Sequence, residues 1–340
     1  MAKKKWYRFY LYLLLGAVQQ FFLIVPRSAG HALAACMGTC AWWMLPSQRV
    51  STLRHLDQAF GSEISAAERY KIGCGVFVHL SKTAVDVCRF PKLTRQRIVD
   101  LVRLDEGTGK LDEALSRGQG VIALTGHLGN WELLASYFRF LGYQGRLVGR
   151  RIYFDCYDHF VISLRENALV RTIYRDEAVR LVLEQLKKNH MVGMSADQDI
   201  DSLEGIFVPF FGRESWTPVA PAKIALASGA AIVPMYMIRE GRRYRLFIKD
   251  PIWPNRSRPR DVAVREMTEA WSRVVEQMIR RYPDQWVWNH DRWKTKPAGR
   301  NEAAENVKEE KVYPAPQKAS SVKTAMIPYP LISCERDGGG

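Results

Sequence analysis

The chain of 340 residues is long enough for about two average domains or one large α/β unit, and its 47% hydrophobic and 25% charged residues are ordinary globular usage. That composition excludes a collagen, a fully disordered chain and a polytopic membrane protein. The formal net charge of +15 predicts an acidic partner, which can be a nucleic acid, an anionic membrane, an acidic protein or an acidic substrate.

An apolar run follows three lysines at the N-terminus. It extends over residues 9–25, and only Gln19 and Gln20 within it are strongly polar. Such a segment, flanked by Trp6 and by basic residues, is typical of a short transmembrane helix or of a deep interfacial anchor. We therefore expect residues 1–26 to form a membrane anchor and the basic body of the protein to face the cytosol.

Helical patterns fill the next part of the chain. Ser65 and Glu68 have the spacing of a capping box, in which each side chain bonds the other residue's backbone N–H at the start of a helix. The apolar run at residues 29–45 contains two tryptophans and favours an interfacial helix or a buried core helix over a second membrane span. We expect residues 27–110 to form a helical, membrane-proximal region.

Short β-rich runs alternate with helical patterns from residue 111 to residue 296. The predicted strands are 121–124, 146–148, 191–195, 231–238 and 244–248, and the predicted helices are 111–116, 131–141, 160–174, 177–188, 220–228 and 262–282. This alternation predicts an α/β catalytic core with a mostly parallel sheet flanked by helices. Chemistry in such sheets lies beyond the carboxyl ends of the strands. Residues 297–340, which are rich in Pro, Lys, Glu, Ala and Ser, are predicted to be a disordered tail.

A histidine and a glutamate follow the first predicted strand of this core. His127 lies between two glycines, and Glu132 lies in the first turn of the next helix, so the carboxylate could fold back onto the imidazole. A positioned imidazole can take a proton from a hydroxyl, and a carboxylate on its other ring nitrogen fixes the tautomer. A histidine–glutamate pair that has no nucleophile of its own suits the direct transfer of a group to a substrate hydroxyl. The structural alternative is a helix-entry histidine followed by a solvated acid.

The motif Gly-His-Leu-Gly-Asn-Trp-Glu, from Gly126 to Glu132, resembles the H-x4-D/E motif of the lysophospholipid acyltransferase superfamily. In this longer form it is similar to the late (lauroyl and myristoyl) acyltransferases of lipid A biosynthesis. The resemblance extends from the N-terminal anchor to about Lys296 and is specific for the family, although not for the acyl chain or the acceptor. Further blocks typical of that family follow in the same order at residues 197–199, 205–213, 217–218, 231–236 and 282–294.

The resemblance implies an enzyme of the inner membrane that moves a fatty acyl group from acyl carrier protein to a hydroxyl of a Kdo-bearing lipid A precursor. His127 would be the general base and Glu132 its orienting partner, with no covalent acyl-enzyme. Because the thioester donor is already activated, no metal or other cofactor is expected. The donors for the tetrahedral oxyanion would be backbone N–H groups at the helix start near Trp131, or an arginine.

Three arginines and two aspartates complete the predicted substrate site. Arg150 follows a predicted strand, Arg165 matches an Arg-x-Asn segment of the family, and Arg213 closes a Phe-Phe-Gly-Arg block. A guanidinium suits the phosphates of a lipid A precursor because it can make two parallel hydrogen bonds, although exposed ion pairs would account for the same residues. Asp197 and Asp199 follow another strand and could orient an arginine or the acceptor.

Other functions remain open at the level of sequence. A basic nucleic-acid binder would explain the charge, and a non-catalytic membrane scaffold would explain the anchor, but neither explains a histidine and a glutamate at a strand end. We therefore expect an anionic membrane, and no nucleic acid, as a partner. Within the acyltransferases, the alternative acceptors are a lysophospholipid, a glycosylated phosphatidylinositol and an aminolipid.

Overall fold

A computed structural model describes residues 7–104 and 107–297 of the chain. The predicted tail at 297–340 lies outside the described residues except for its first residue, as do residues 1–6 of the predicted anchor. The α-helices of the described part are α1 (Tyr7–Ile24), α2 (Arg27–Met44), α3 (Pro46–Phe60), α4 (Ala66–Cys88), α5 (Arg95–Leu101), α6 (Thr108–Ser116), α7 (Trp131–Phe140), α8 (Asp155–Asn167), α9 (Ala178–Lys187), α10 (Ala220–Ser228) and α11 (Arg260–Arg281). The strands are β1 (Val102–Leu104), β2 (Val121–Thr125), β3 (Gly145–Gly149), β4 (Arg171–Tyr174), β5 (Met191–Ser195), β6 (Gly205–Phe210), β7 (Arg213–Pro218), β8 (Ala231–Glu240) and β9 (Arg243–Ile248).

The central sheet has seven strands in the order β1-β9-β8-β2-β5-β3-β4. Neighbouring strands are parallel except for the β8–β9 pair, which is antiparallel. The predicted α/β fold with a mostly parallel sheet flanked by helices is therefore confirmed. β2 is the middle strand, so the loop that follows it leaves the centre of the sheet.

Two apolar layers cover the two faces of the sheet. Ile122 and Leu124 point to one face, where they pack in a core with buried residues of α9, α10 and α11. Val121 points to the other face and joins a second core that includes Leu111 of α6 and Leu134 of α7. This alternation is what a strand buried on both faces requires.

Local signals explain several of the helix boundaries. The predicted capping box is confirmed, because Ser65 N–H donates to Glu68 Oε2 at 2.8 Å and Glu68 N–H donates to Ser65 Oγ at 3.2 Å. α10 ends at Gly229, whose φ of +86° lies in the left-handed region that glycine tolerates best. The segment at 27–110 is mainly helical, and its β1 strand adds an edge to the sheet by pairing with β9.

Two strand regions differ from the prediction. The helix predicted at 160–174 ends at Asn167, and residues 171–174 form β4 instead. Leu169 interrupts the helix with a φ of +63°, and the β-branched residues after it favour a strand. The hairpin of β6 and β7 was not predicted, because it lies outside the alternating helix–strand pattern and forms its own two-stranded sheet.

The N-terminal helix packs on the body of the protein. Phe22 of α1 is buried against Ala34 of α2 and Val85 of α4. Within residues 7–104 and 107–297, no helix is both long and apolar enough to cross a membrane, so the expected transmembrane span is not supported. Two glutamines within α1, Gln19 and Gln20, help to explain this, because they lower the hydropathy of a helix of only 18 residues.

Candidate active site

The candidate site lies where two neighbouring parallel strands end. β2 and β5 pair with Thr125 opposite Ser195, and these are the last residues of the two strands. His127 and Asp197 each lie two residues beyond those ends, so the register of the strands brings both to the same edge of the sheet.

Asp197 holds His127 in a fixed orientation. Nδ1 of His127 lies 2.8 Å from Oδ1 of Asp197, and the backbone N–H of His127 donates to Oδ2 at 2.7 Å. The indole N–H of Trp286 donates to the same Oδ2 at 2.8 Å. The Asp197 side chain is fully buried, whereas 26% of the His127 side chain is exposed. The carboxylate therefore fixes one ring nitrogen and leaves the ring accessible.

Two glycines let the loop between β2 and α7 pass close to its neighbours. A Cβ at Gly126 would lie 2.8 Å from Oδ2 of Asp197, and a Cβ at Gly129 would lie 2.1 Å from the carbonyl oxygen of Met237. Gly129 also has a φ of +67°. A side chain at either position would displace the loop and separate His127 from Asp197.

Hydrogen bonds hold this loop on both sides. The N–H of Asn130 donates to the carbonyl of Met237 at 2.7 Å, and Nε2 of the buried His79 lies 3.0 Å from the carbonyl oxygen of Gly129. The side chain of Asn130 caps α7 by accepting a hydrogen bond from the N–H of Leu133 at 3.0 Å. The loop and the start of α7 are thus anchored as one unit.

For both His127 and Asp197, burial shifts the pKa in one direction and nearby charges shift it in the other. Burial lowers the pKa of His127, but the charge of Asp197, the hydrogen bond between them and the nearby charge of Glu132 raise that pKa above its ordinary value. Burial likewise raises the pKa of Asp197, but His127 and Trp286 hold it below its usual range. Asp197 therefore stays charged and favours the neutral tautomer of His127 with its proton on Nδ1, which leaves Nε2 to accept a proton.

The glutamate of the motif has a different partner from the one predicted. Nε and Nη2 of Arg165 donate to the two carboxylate oxygens of Glu132 at 2.9 and 2.6 Å, which is a bidentate pair. The carboxylate that bonds the His127 ring is therefore Asp197 and not Glu132, a correction that follows from the strand register. Glu132 influences His127 through its charge, and a direct catalytic role for Glu132 remains a prediction.

The remaining predicted ligands do not converge on His127 as a group. Arg150 is exposed directly after the end of β3. Asp199 is buried, and its carboxylate accepts hydrogen bonds from the N–H and the hydroxyl of Thr295, both at 2.8 Å. Arg213 lies at the tip of the β6–β7 hairpin, where its Nε donates to the carbonyl of Gln58 at 3.0 Å. Asp199 and Arg213 thus stabilise neighbouring segments, and their contact with substrate remains a prediction.

The closing segment supplies residues that the sequence analysis did not single out. Trp286 bonds Asp197 directly. His290 lies close enough to Asp197 and Asp199 for their charges to oppose the lowering of its pKa by burial. Nε2 of His290 is buried and has no hydrogen-bond partner within the described part of the chain. In the sequence, this segment stands out only as the family block at 282–294. The contact of Trp286 with Asp197 exists only in the folded chain.

A narrow cavity of about 50 Å³ lies between α7 and the sheet, beside the loop that carries His127. The ring of Trp131, which lines it, contacts the His127 ring edge to face with centroids 5.2 Å apart. The lining is mainly apolar and includes Ala123, Leu134, Ala135, Phe138, Met191 and Met235. The arrangement thus combines a proton acceptor with an adjacent small, mainly apolar cavity.

Comparisons with known proteins identify acyltransferases among the relatives of this chain. The profile of the bacterial lipid A biosynthesis acyltransferase family matches residues 2–295. The phosphatidylinositol mannoside acyltransferase of Mycobacterium tuberculosis (strain CDC 1551 / Oshkosh) is 26% identical over 213 residues, which cover 61% of this chain and 66% of that protein. The lipid A biosynthesis lauroyltransferase of Escherichia coli (strain K12) is 36% identical over 122 residues, which cover 35% of this chain and 38% of that protein. The match therefore spans just under two thirds of the first relative and less of the second.

A solved structure gives a weaker likeness. The 1-acyl-sn-glycerophosphate acyltransferase PlsC from Thermotoga maritima matches 72% of this chain and 97% of its own, at 14% sequence identity and a TM-score of 0.33. This score is too low to support an argument about the fold. The family profile, by contrast, covers most of the chain, and the protein therefore belongs to the bacterial lipid A biosynthesis acyltransferase family.

Proposed function

We propose that this protein is a membrane-associated acyltransferase that moves a fatty acyl group from the thioester of acyl carrier protein to a hydroxyl of a lipid acceptor. His127 is the general base in this proposal, and Asp197 orients it. The observation that carries the proposal is the 2.8 Å contact between these side chains at the carboxyl edge of the sheet, next to an apolar cavity.

The reaction needs one proton acceptor that later becomes a donor. Nε2 of His127 takes the proton of the acceptor hydroxyl as that oxygen attacks the thioester carbonyl. The tetrahedral intermediate then collapses, the C–S bond breaks, and the imidazolium returns its proton to the departing thiolate. Asp197 stabilises the imidazolium between these two steps without taking the proton itself.

The oxyanion of the intermediate needs hydrogen-bond donors. The N–H groups of His127 and Asn130 are already used by Asp197 and by the carbonyl of Met237. The bidentate bond to Glu132 likewise occupies Arg165. The N–H of Leu133 is also used, by the side chain of Asn130. We therefore assign the oxyanion to the N–H groups of Trp131 and Glu132 at the start of α7, where the helix dipole also favours negative charge.

The acyl chain is proposed to enter the cavity beneath α7. Its lining is mainly apolar, and Trp131 forms a wall shared with His127. Burying each methylene of a chain in such a slot contributes about 0.8 kcal/mol. Arg150, exposed at the same edge of the sheet, is the arginine that we propose for the acceptor's phosphate groups.

Two acceptors are supported by specific relatives. A Kdo-bearing lipid A precursor is our first candidate, because the family profile covers residues 2–295. A glycosylated phosphatidylinositol is the second candidate, because the mannoside acyltransferase aligns with 61% of this chain and the lauroyltransferase with 35%. Both acceptors are glycolipids that carry free hydroxyl groups.

The site of action that we propose is the cytosolic face of the inner membrane. α1 and α2 expose large apolar side chains, and the net charge of +15 favours an anionic surface. In this arrangement the anchor predicted at 1–26 and α2 bind the membrane, and residues 27–296 form the acyltransferase domain. The exposed apolar side chains include Tyr10, Leu13, Leu14, Phe21, Ile24, Trp43 and Met44.

Lipid analysis of a deletion strain tests this function. We expect mass spectrometry to show lipid A that lacks one acyl chain, with restoration by the wild-type gene and not by His127→Ala. Unchanged lipid A with an under-acylated glycosylated phosphatidylinositol would select the second candidate. Unchanged lipids of every class, or full restoration by His127→Ala, would overturn the proposal.

A further inference from the structure

A second cavity of about 370 Å³, which His127 does not line, lies between the start of α2, the end of α4, α5, α7 and β9. This volume is within the range of small-ligand sites. Four cations and two carboxylates line it, together with three leucines and Tyr244. The charged lining residues are Arg27, Arg89, Lys92, Arg97, Asp86 and Asp100.

The first carboxylate of this cavity is already saturated. Oδ1 of Asp86 accepts from Nε of Arg27 and lies near Nε2 of His31, each at 2.9 Å. Its Oδ2 accepts from Nη1 of Arg239 at 2.8 Å and from the hydroxyl of Tyr244. A carboxylate has about four acceptor positions, so Asp86 has none left for the other cations of the cavity.

The second carboxylate is also engaged, and it lies at the exposed rim. Asp100 accepts a hydrogen bond from Nε2 of Gln96 at 2.9 Å. Within the described residues, no carboxylate lies within ion-pair distance of Arg89, Lys92 or Arg97. The cavity therefore has an excess of positive charge that the protein itself does not neutralise.

The cations of this cavity are crowded. Nη2 of Arg27 is buried without a hydrogen-bond partner in the part of the chain that the structure describes. Burial lowers the pKa of Arg89, and the charges of Arg27 and Arg97 lower it further, in spite of Asp86. An anion in the cavity would relieve the repulsion between these cations.

The cavity adjoins the helices that we place at the membrane. Nη1 of Arg89 donates to the carbonyl of Val25 at 2.5 Å, just beyond the end of α1, and Arg27 is the first residue of α2. Leu93, Leu101 and Leu133 provide an apolar wall beside the cations. Cationic and apolar surfaces side by side match a phosphate group that is attached to an apolar molecule.

We propose that this cavity is a phosphate-binding site, separate from the acyl-transfer site, that takes the phosphate group of an anionic lipid headgroup or free phosphate. Lys92 and Arg97 bind the phosphate at the rim, and Arg27 and Arg89 add positive charge behind it. A phosphate bound here links the junction of α1 and α2 to α4 and α5.

The test compares two charge-matched double variants of the full chain. Lys92→Gln/Arg97→Gln removes the rim cations, which are exposed and therefore expected not to affect folding. Arg180→Gln/Lys187→Gln removes two exposed cations of α9 and serves as the control. Inorganic phosphate is titrated by calorimetry, and sedimentation measures binding to phosphatidylcholine vesicles with and without phosphatidic acid. Thermal unfolding confirms that each variant is folded, and Lys92→Glu alone provides a second rim variant.

We expect the rim variants to bind phosphate at least about tenfold more weakly than the control, which corresponds to about one charge-assisted hydrogen bond. Saturable binding of inorganic phosphate that the rim substitution weakens would identify phosphate itself as sufficient. A rim-dependent preference for phosphatidic acid vesicles alone would identify a lipid headgroup. Equal binding by rim and control variants, or no binding of either probe by the wild type, would overturn the site. His127→Ala should bind both probes normally, so this test is independent of the acyl-transfer proposal.

Discussion

Two buried aspartates hold a histidine at almost the same distance, yet their surroundings give the contacts different roles. Oδ1 of Asp197 lies 2.8 Å from Nδ1 of His127, and Oδ1 of Asp86 lies 2.9 Å from Nε2 of His31. The other partners of Asp197 are a backbone N–H and an indole N–H, so its charge acts mainly on the imidazole. Asp86 also bonds the guanidinium groups of Arg27 and Arg239, and their positive charges neutralise most of its negative charge.

The difference shows what makes such a contact useful for proton transfer. His127 lies at the end of a strand beside a cavity and is 26% exposed, so a substrate hydroxyl can reach it. His31 is 12% exposed and is packed at the junction of α2 and α4. A carboxylate that lacks a permanent cation can stabilise an imidazolium, whereas one that is already paired with arginines mainly fixes helices in place.

The largest expected effect on activity is that of His127→Ala. Loss of the general base should lower kcat/KM by roughly 10²–10⁴-fold, while the melting temperature changes little because the ring is partly exposed. The control is His31→Ala, for which we expect some loss of stability and activity near that of the wild type. Wild-type activity in His127→Ala would contradict the catalytic role that distinguishes His127 from His31.

Asp86→Asn should affect stability instead of chemistry. Removing this charge leaves the buried Arg239 and the partly buried Arg27 without a counter-ion, which should cost about 3–5 kcal/mol in the free energy of unfolding measured with urea. The pKa of Asp86 is far below its ordinary value, so its contribution is present above the unfolded pKa of about 4 and is lost as the pH falls. A fully folded variant that loses only kcat would contradict the structural role.

Arg165→Lys tests the ion pair at Glu132. Lysine keeps the charge but cannot make both parallel hydrogen bonds, so the first turn of α7 should be held less firmly. We expect kcat/KM to fall about tenfold, the scale of one charge-assisted hydrogen bond. Activity equal to the wild type would indicate that the bidentate geometry is not required.

Ala135→Leu should have the smallest effect, on chain-length preference. Ala135 lines the cavity beneath α7, and a larger side chain there should favour shorter acyl donors by a few-fold, measured by competition between donors. The matched control is Ala227→Leu at an exposed position of α10, which should leave the preference unchanged. The same chain-length preference in both variants would mean that the acyl chain of the donor does not bind in this cavity.

Much of the fold followed from local pattern. The strands at β2, β5 and β8 were predicted because they are continuous apolar runs bounded by turns, and α10 was predicted with the boundaries that the structure has. β4 was missed because residues 170–174 continue the helical pattern of α8, and only the backbone at Leu169 interrupts it. The span expected at 9–25 was not supported, since an apolar run does not distinguish a crossing helix from one packed on the protein.

The site was predictable only in part. His127 stands out in sequence because glycines flank it at a strand end. The identity of its carboxylate partner did not follow, because Glu132 is five residues away in sequence, whereas Asp197 is adjacent only through the pairing of β2 with β5. Trp286 reaches Asp197 from the other end of the chain, a contact that no local pattern encodes, and the charge of Asp197 also acts on His290.

The pH dependence of kcat/KM for the wild type and Asp197→Asn tests the central claim most directly. In the wild type, the rate should rise as His127 loses its proton, around a pKa raised above the ordinary histidine value. Asparagine removes the charge that raises this pKa, so the midpoint should move to lower pH and the plateau should fall roughly 10²-fold, while Asp199→Asn should keep the wild-type midpoint. An unchanged midpoint in Asp197→Asn with a plateau close to that of the wild type would contradict the account.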